Sequence, residues 1–271
     1  MTAPHSQVIC LDITPPSFVG AFVVRRRRWH YLGASLAQTK VQLCGKLVVE
    51  LDGERVEERL PGRQGRMLFG FLALGRSRLL TRDEVVAALW PDGRDGGLAP
   101  LLSKLRRVVP LEGLVLQLPR DAWLDVEAAR ETVHRAESAI VQGDFHRAWG
   151  PSQVAMFVSR RVFLPGTEAV WIDEERAALG AVHLRALESY AQAGLGIGGT
   201  ELAAAVRAGR ELVRLEPFRE TGYRILMSAL AAEGNRAEAL VVYDDLRRLL
   251  RDELGTAPSA PTQELHRRLL S

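Results

Sequence analysis

The chain has 271 residues, a length that suits one large domain or two ordinary ones, and its 47% hydrophobic and 25% charged residues are enough to build cores in a water-soluble protein. A formal net charge of +3 is too small to hold an acidic partner by bulk charge, so any nucleic-acid contact has to come from local clustering. Cys10 and Cys44, the two cysteines, lack CxxC spacing and argue against a disulfide framework; no apolar run reaches the roughly 18 residues of a membrane span. The expectation is a cytoplasmic protein without membrane contact.

Charge is unevenly spread. Residues 1–40 carry five basic groups against one acid, 41–125 carry 13 against 12, and 126–271 carry 18 against 20. The first forty residues show no sustained periodicity and contain Pro4, Pro15 and Pro16, which reads as a poorly ordered extension. Its Arg25–Arg28 run beside Trp29 has the alternative reading of a basic arm along phosphates.

From 41 to 126 the pattern tightens. Leu47, Val49 and Leu51 alternate before Asp52-Gly53, a favoured hairpin dipeptide, so a small antiparallel sheet opens the segment. Leu68, Phe71 and Leu72 then fall at helical spacing, with Gly75 as the stop. Thr81 and Glu84 form a capping box for a second helix that buries Val85, Val86 and Leu89, ends at Pro91, and puts Trp90 into the core. A glycine-rich loop, "PDGRDGG", leads to "LAPLLSKLRRVV" at 98–109. Leu98, Leu101, Leu102, Leu105, Val108 and Val109 form one stripe of that helix; Ser103, Lys104, Arg106 and Arg107 lie opposite, with no acid among them. Two strands around Pro119-Arg120-Asp121 close the segment as a hairpin.

Strands, three helices and a hairpin in this order describe a winged helix-turn-helix, whose third helix is the one presented to the major groove. A wet basic face is the ordinary meaning of such a pattern; the neighbouring elements make it the best candidate DNA surface. Lys104 and Arg107, near the middle of the polar side, are placed to reach guanine edges, Ser103 to bond more weakly, and Arg106 to meet a phosphate. Arg120 at the hairpin and Arg63 and Arg66 near the start of the first helix are further phosphate candidates, each also readable as a plain surface charge.

From 127 to 271 nearly every segment has helical periodicity: "EAARETVHRAESAI", "EAVWIDEERAALGAVHLRALESYAQAG", "TELAAAVRAGRELVRLEP", "RETGYRILMSALAAEG" and "RAEALVVYDDLRRLLRDELG". A glycine is followed five residues later by alanine at Gly143/Ala148, Gly199/Ala204 and Gly234/Ala239, the last two copies 35 residues apart, near the tetratricopeptide period of roughly 34. Pro217 matches the helix-ending proline of such repeats. The fold class expected is mainly α: a winged helix-turn-helix at 41–126, then a tetratricopeptide-like α-solenoid at 127–271. Tyr190, Tyr223 and Tyr243, at similar places in these helices, are expected to pack between helices rather than line a groove.

"TRDEVVAALWPD", "LLSKLRR", "AVWIDEERAALGAVHLRALESYAQAG" and the closing "RILMSALAAEGNRAEALVVYDDLRRLLRDELGTAPSAPTQELHRRLL" carry a resemblance to the antibiotic regulatory protein (SARP) family of actinobacterial activators, over residues 41–271. The resemblance implies a response-regulator-type winged helix followed by a bacterial transcriptional activator domain. It also implies an activator that binds direct repeats in promoters as tandem copies, associates with itself on DNA and recruits RNA polymerase, with 91–97 and parts of 127–271 near polymerase. No G-x-x-x-x-G-K-[ST] run occurs before the end at 271, the pattern of a small member without a nucleotide-binding module. Ala99 and Pro100 follow Leu98 where family members usually carry a polar or basic residue, so the helix is expected to start later and lose base-reading side chains.

The six histidines, His5, His30, His134, His146, His183 and His266, never pair at i, i+3 or i+4 spacing, and no G-x-S-x-G, H-E-x-x-H or G-x-G-x-x-G run appears. Asp173, Glu174 and Glu175 in succession read as a solvated helix face. No enzyme, cofactor or metal is expected. The competing reading is a protein-interaction adaptor whose winged helix has lost specific DNA binding.

Overall fold

Val41, Leu43 and Val49 are fully buried on one side of a short sheet, and this burial fixes the register from which the rest is hung. The structure, a computed structural model, describes residues 39–90, 92 and 95–271; the readings placed on Arg25–Arg28, Trp29 and Cys10 lie outside the described residues. Strand β1 (Lys40–Gln42) runs antiparallel to β2 (Val48–Leu51) with Val41 opposite Val49. Asp52 and Gly53, both at positive φ, turn the chain into β3 (Glu54–Arg55). Lys40, grouped on sequence with the extension, is the first residue of the sheet.

Three helices follow. In α1 (Gly62–Leu74), Met67, Leu68, Phe69 and Leu72 are buried, and Gly75 caps the end. The capping box of α2 (Arg82–Leu89) is formed as expected: Glu84 accepts from the Thr81 N–H at 2.7 Å, and the Thr81 hydroxyl accepts from the Glu84 N–H at 3.3 Å. Trp90 is half-buried against the core. Helix α3 (Leu98–Leu105) buries all four of its leucines.

Two expectations need correction here. First, the helix from Leu98 stops at Leu105, not Val109: residues 106–108 form turns, through which Val109 still reaches the core. Second, the hairpin is not built around Pro119-Arg120-Asp121. It consists of β4 (Leu111–Glu112) and β5 (Val115–Leu116), reversing through Gly113 at φ 58°. The Pro119–Asp121 segment is a separate turn, closed by the Ala122 N–H on the Pro119 carbonyl at 3.0 Å, that delivers β6 (Trp123–Leu124) to a parallel pairing with β1. The sheet order is therefore β3-β2-β1-β6.

The second half is a run of helices packed consecutively in space: α4 (Asp125–Val141), α5 (Phe145–Ser159), α6 (Val170–Ile197), α7 (Leu202–Leu215), α8 (Glu220–Ala232), α9 (Arg236–Leu254) and α10 (Ala260–Leu270). Helix α5, which contains Pro151, and α10 were not among the segments singled out by periodicity. The glycine–alanine repeat has a geometric basis at two of its three places. Gly143 and Gly234 end α4 and α8 at φ 72° and 88°; the following N–H, of Asp144 or Asn235, returns to the carbonyl of Ala139 or Leu230 at 2.9 and 2.8 Å. These are Schellman caps, and a side chain at that φ is strained. Ala148 and Ala239, five residues on, are fully buried where paired helices meet. Tyr223 and Tyr243 are buried, and Tyr190 stacks on Trp149 with centroids 4.4 Å apart, so all three pack between helices.

The apolar core does not stop between the halves. One cluster joins the sheet and α1–α3 to Val126, Ala129, Val133, Val158, Phe163 and Ile172 of the helical half. At its centre is Asp125, fully buried, whose carboxylate accepts from the N–H groups of Leu43, Cys44 and Val126, each at 2.9 Å. The segment between α5 and α6 lies along the sheet: the Leu164 N–H bonds the Leu43 carbonyl at 2.9 Å and the Gly45 N–H the Val162 carbonyl at 2.8 Å. Trp171 of α6 packs edge-on against Phe71 of α1 and donates to the Ala88 carbonyl at 3.1 Å; Arg76 reaches Glu127 of α4 at 2.9 Å. Replacing Asp125 by Ala strands three buried donors, two of them in the other half, and is expected to cost about 3 kcal/mol. Asp125→Asn should fall between it and wild type, because its amide nitrogen would face an N–H. Urea unfolding monitored by circular dichroism measures this; a loss below about 1 kcal/mol for the alanine variant would show that the junction does not depend on this carboxylate.

Candidate nucleic-acid interface

The geometry of α3 follows from its leucines. With Leu98, Leu101, Leu102 and Leu105 turned inward against α1, the side left to solvent carries Ala99, Pro100, Ser103 and Lys104, continued past the helix end by Arg106 and Arg107. All six are exposed. Lys104 and Arg107 have no ion-pair partner among the described residues, so no described carboxylate neutralises their charges. Lys104 also lies in the last turn, where the helix dipole favours a cation.

The expected late start of this helix is overturned: α3 begins at Leu98, and Pro100 fits in its first turn, where no backbone N–H is required. What fixes the start is Asp95, which sequence reasoning missed. Its carboxylate accepts from the N–H groups of Gly97 at 2.9 Å and Leu98 at 2.7 Å, and is paired with Arg82 at the head of α2. These backbone bonds, then the arginine, hold the carboxyl below its ordinary range. The signal was available as an aspartate three residues ahead of an apolar run. Gly96 is required for a different reason: a Cβ there would lie 2.2 Å from the Trp90 indole nitrogen, so the loop closes against Trp90 only without a side chain.

The other sequence candidates divide. Arg106 donates to the Gly113 carbonyl at 3.2 Å, tying the end of α3 to the hairpin turn, so part of its guanidinium is engaged within the protein. Arg120 is exposed, but in the turn before β6 and not at the hairpin tip. Arg63 and Arg66 are exposed on α1, and they line a groove to which neither α3 nor the hairpin contributes. Ser103, Lys104, Arg106 and Arg107 alone form one continuous surface.

No group of His, Cys, Asp and Glu suited to a metal occurs among the described residues, and none of their helices is long and apolar enough to cross a membrane. Burial, then the Asp125 carboxylate, push the Cys44 thiol far up, so it stays protonated. One constellation resembles a hydrolytic arrangement: Ser159 Oγ lies 3.1 Å from His183 Nδ1, and His183 Nε2 lies 3.9 Å from Glu211. The Ser159 hydrogen, however, is given to the Ala155 carbonyl at 2.7 Å, so the imidazole is not positioned to receive it. Burial pushes the His183 pKa down, which makes the group a neutral packing element.

A winged helix-turn-helix seated by a shared core on a helical-repeat array is the build of a two-part transcription regulator. The chain belongs to the antibiotic regulatory protein family: residues 124–270 match the bacterial transcriptional activator domain. It is 33% identical over 230 residues to the regulatory protein AfsR of Streptomyces coelicolor, covering 81% of this chain and 23% of that protein. To AfsR of Streptomyces griseus it is 31% identical over 218 residues, covering 76% and 22%. The chain thus spans less than a quarter of the length of these curated relatives. Its fold is that of Mycobacterium tuberculosis EmbR, solved in complex with a low-affinity phosphopeptide, with a TM-score of 0.72 at 21% identity over 86% of this chain and 65% of that one.

Two carboxylates hold the front of this surface, and both are acid-sensitive in the same direction. The Thr81 N–H and Arg78 lower Glu84 from its ordinary 4.5 to about 2, and Asp95 is lowered as well. A depressed folded pKa stabilises above the unfolded value and is lost as pH falls through the folded one. The cap of α2 should therefore loosen below about pH 4.5 and be gone near pH 2, and the cap of α3 should weaken in the same direction as Asp95 takes up a proton. Asp95→Ala should loosen α3 at neutral pH, seen as faster amide hydrogen exchange at Leu98, Leu101 and Leu102. Unchanged exchange in that variant would show that the helix start is held by the leucines alone.

Proposed function

We propose that this chain is a sequence-specific DNA-binding transcriptional activator that reads the major groove with the exposed side of α3. The observation that carries the reading is Lys104 on a helix whose other face is fully anchored, with Arg107 in the turn just past its end, neither ion-paired among the described residues. A cation left without a partner on a rigid element is free to displace counterions at phosphates or to bond guanine O6 and N7. Ser103 supplies a weaker hydrogen bond, Arg106 and Arg120 positions for phosphate contacts, and Ala99 and Pro100 apolar surface of the kind that meets thymine methyl groups. Family membership supports binding to promoter direct repeats as tandem copies that meet on DNA, recruitment of RNA polymerase, and action in the cytoplasm.

The continuous core supports a further part of this reading. Since the reading head and the helical half share side chains, the helical half takes a fixed direction once α3 is in the groove. Recruitment through that half then depends on helical phase. Moving the operator by about 5 base pairs relative to the polymerase site should abolish activation in a reconstituted transcription assay, and a shift of about 10 should restore part of it. Activation indifferent to such shifts would remove rigid recruitment from the proposal.

Ala99 and Pro100, donor-free at the end of α3 that enters a groove first, favour the second reading, an adaptor without specific DNA binding. Capture of fragmented genomic DNA separates the two. Wild type should enrich a few fragments carrying a direct repeat, and Lys104→Ala with Arg107→Ala should lose them while the helical half stays folded. Binding by wild type should fall steeply with salt, at a log–log slope of about 0.9 per phosphate contact. Featureless recovery by folded wild type would favour the adaptor.

A further inference from the structure

Arg63 and Arg66 are half of an arrangement that DNA reading leaves unused. They project from the first turns of α1 into a groove of about 550 Å³, whose other walls are the loop between β1 and β2 and the segment joining α5 to α6. Lys46 and Leu47 stand on the first wall, Leu164 and Pro165 on the second. No acidic side chain lines it. Lys46, Arg63 and Arg66 are exposed, and none is engaged in an ion pair among the described residues, although most of the described arginines are. Three uncompensated cations converging on one concavity repel one another, and an anion relieves that repulsion.

The walls are held independently of any occupant. Gln42 donates to the Lys46 carbonyl at 2.7 Å, and Gly45 donates to Val162. Arg176 of α6 clamps the opposite wall through the carbonyls of Phe163, Leu164 and Thr167, at 3.1, 3.2 and 2.8 Å. Leu164 is a buried residue at φ 39°, a backbone state that costs energy for a branched side chain and is retained only where its surroundings impose it. A second arginine-rich cavity, of about 390 Å³ between α5, α6 and α7, lacks this character: Glu211 sits in it, and Arg176 on its wall is already committed.

We propose that the groove binds the oligophosphate group of a small phosphorylated ligand, with Lys46, Arg63 and Arg66 as its cations. Its volume suits a ligand of that size, and three positive charges match a di- or triphosphate. The same chemistry is offered by a DNA backbone. A small ligand is favoured because neither α3 nor the hairpin borders the groove, whereas the helical half supplies one of its walls. A ligand seated there touches both halves at the junction.

Inorganic tripolyphosphate is the probe, titrated calorimetrically into the full chain at matched ionic strength. Wild type should bind it saturably, and Lys46→Gln with Arg63→Gln and Arg66→Gln should bind at least about tenfold more weakly, with a melting temperature no lower than wild type because these side chains are exposed and their mutual repulsion is removed. Lys46→Arg with Arg63→Lys and Arg66→Lys, which keeps every charge, should retain most of the affinity. Lys104→Ala with Arg107→Ala should bind tripolyphosphate like wild type, so this readout stands whether or not α3 reads DNA. Absence of saturable binding by wild type overturns the proposal. So does loss of tripolyphosphate binding in the α3 variant with retention in the groove variant. Loss of DNA binding in the groove variant, without tripolyphosphate binding by wild type, would assign the groove to the DNA backbone instead.

Discussion

Asp125 sits where β6 becomes α4, and its carboxylate is the point at which the two halves of the molecule become one. A fully buried carboxylate is costly, and burial pushes its pKa up; the N–H groups of Leu43 and Cys44 and the charge of Arg161 act in the opposite direction. The donors matter more than the charge. Leu43 and Cys44 lie just beyond β1, where its pairing with β2 and β6 has ended, and Val126 is in the first turn of α4, where helical N–H groups have no intrahelical partner. A single side chain therefore satisfies the loose ends of a strand and of a helix that belong to different halves.

From that point the coupling spreads through ordinary packing. Phe163 is buried beside Cys44, Leu164 enters the space left by Gly70, and Trp171 stands against both Phe71 and Phe163 while bonding the end of α2. Separating the halves would expose this apolar surface and strand the donors together, so a hinge at this boundary has no low-cost open state. Two domains joined by a flexible linker could present the helical half in many directions from one DNA site. This molecule cannot, and the direction of its helical half relative to α3 is a property of the fold.

The sequence made the elements legible to the extent that their information was local. The Thr81/Glu84 capping box, the leucine stripe of α3 and the repeated glycine caps of α4 and α8 each act within a few residues, and each was readable. The failures were non-local. Pro119-Arg120-Asp121 looks like a hairpin turn to its neighbours; only the parallel partner β1, more than 80 residues earlier in the chain, shows that the strand after it belongs elsewhere. Val108 and Val109 continue the stripe of α3, but the helix ends at Leu105, and Arg106 just past it bonds the turn of the hairpin that follows. Asp125 reads as the polar residue of a helix start, and its long-range amide donors leave no local trace. The groove is the extreme case, since Lys46, Arg63 and Pro165 meet only in three dimensions.

The composition of α3 has a consequence for the proposed DNA reading. Its leading exposed positions, Ala99 and Pro100, offer no hydrogen-bond donor, and its trailing ones, Lys104 with Arg106 and Arg107 beyond the helix, concentrate the charge at one end. Hydrogen-bonded readout is thus confined to a short stretch from Ser103 to Arg107, with contacts elsewhere apolar or to phosphate. A single copy reading so few edges gains little discrimination over nonspecific DNA, because each good bidentate pair contributes only about 1–3 kcal/mol. Specificity then has to come from more than one copy, and a rigid molecule is suited to that arrangement. When reading head and helical half keep one fixed relation, the spacing between neighbouring half-sites becomes part of the recognised sequence. Under the proposed function, tandem occupancy on direct repeats is the arrangement by which a short reading surface on an inflexible support would reach useful selectivity.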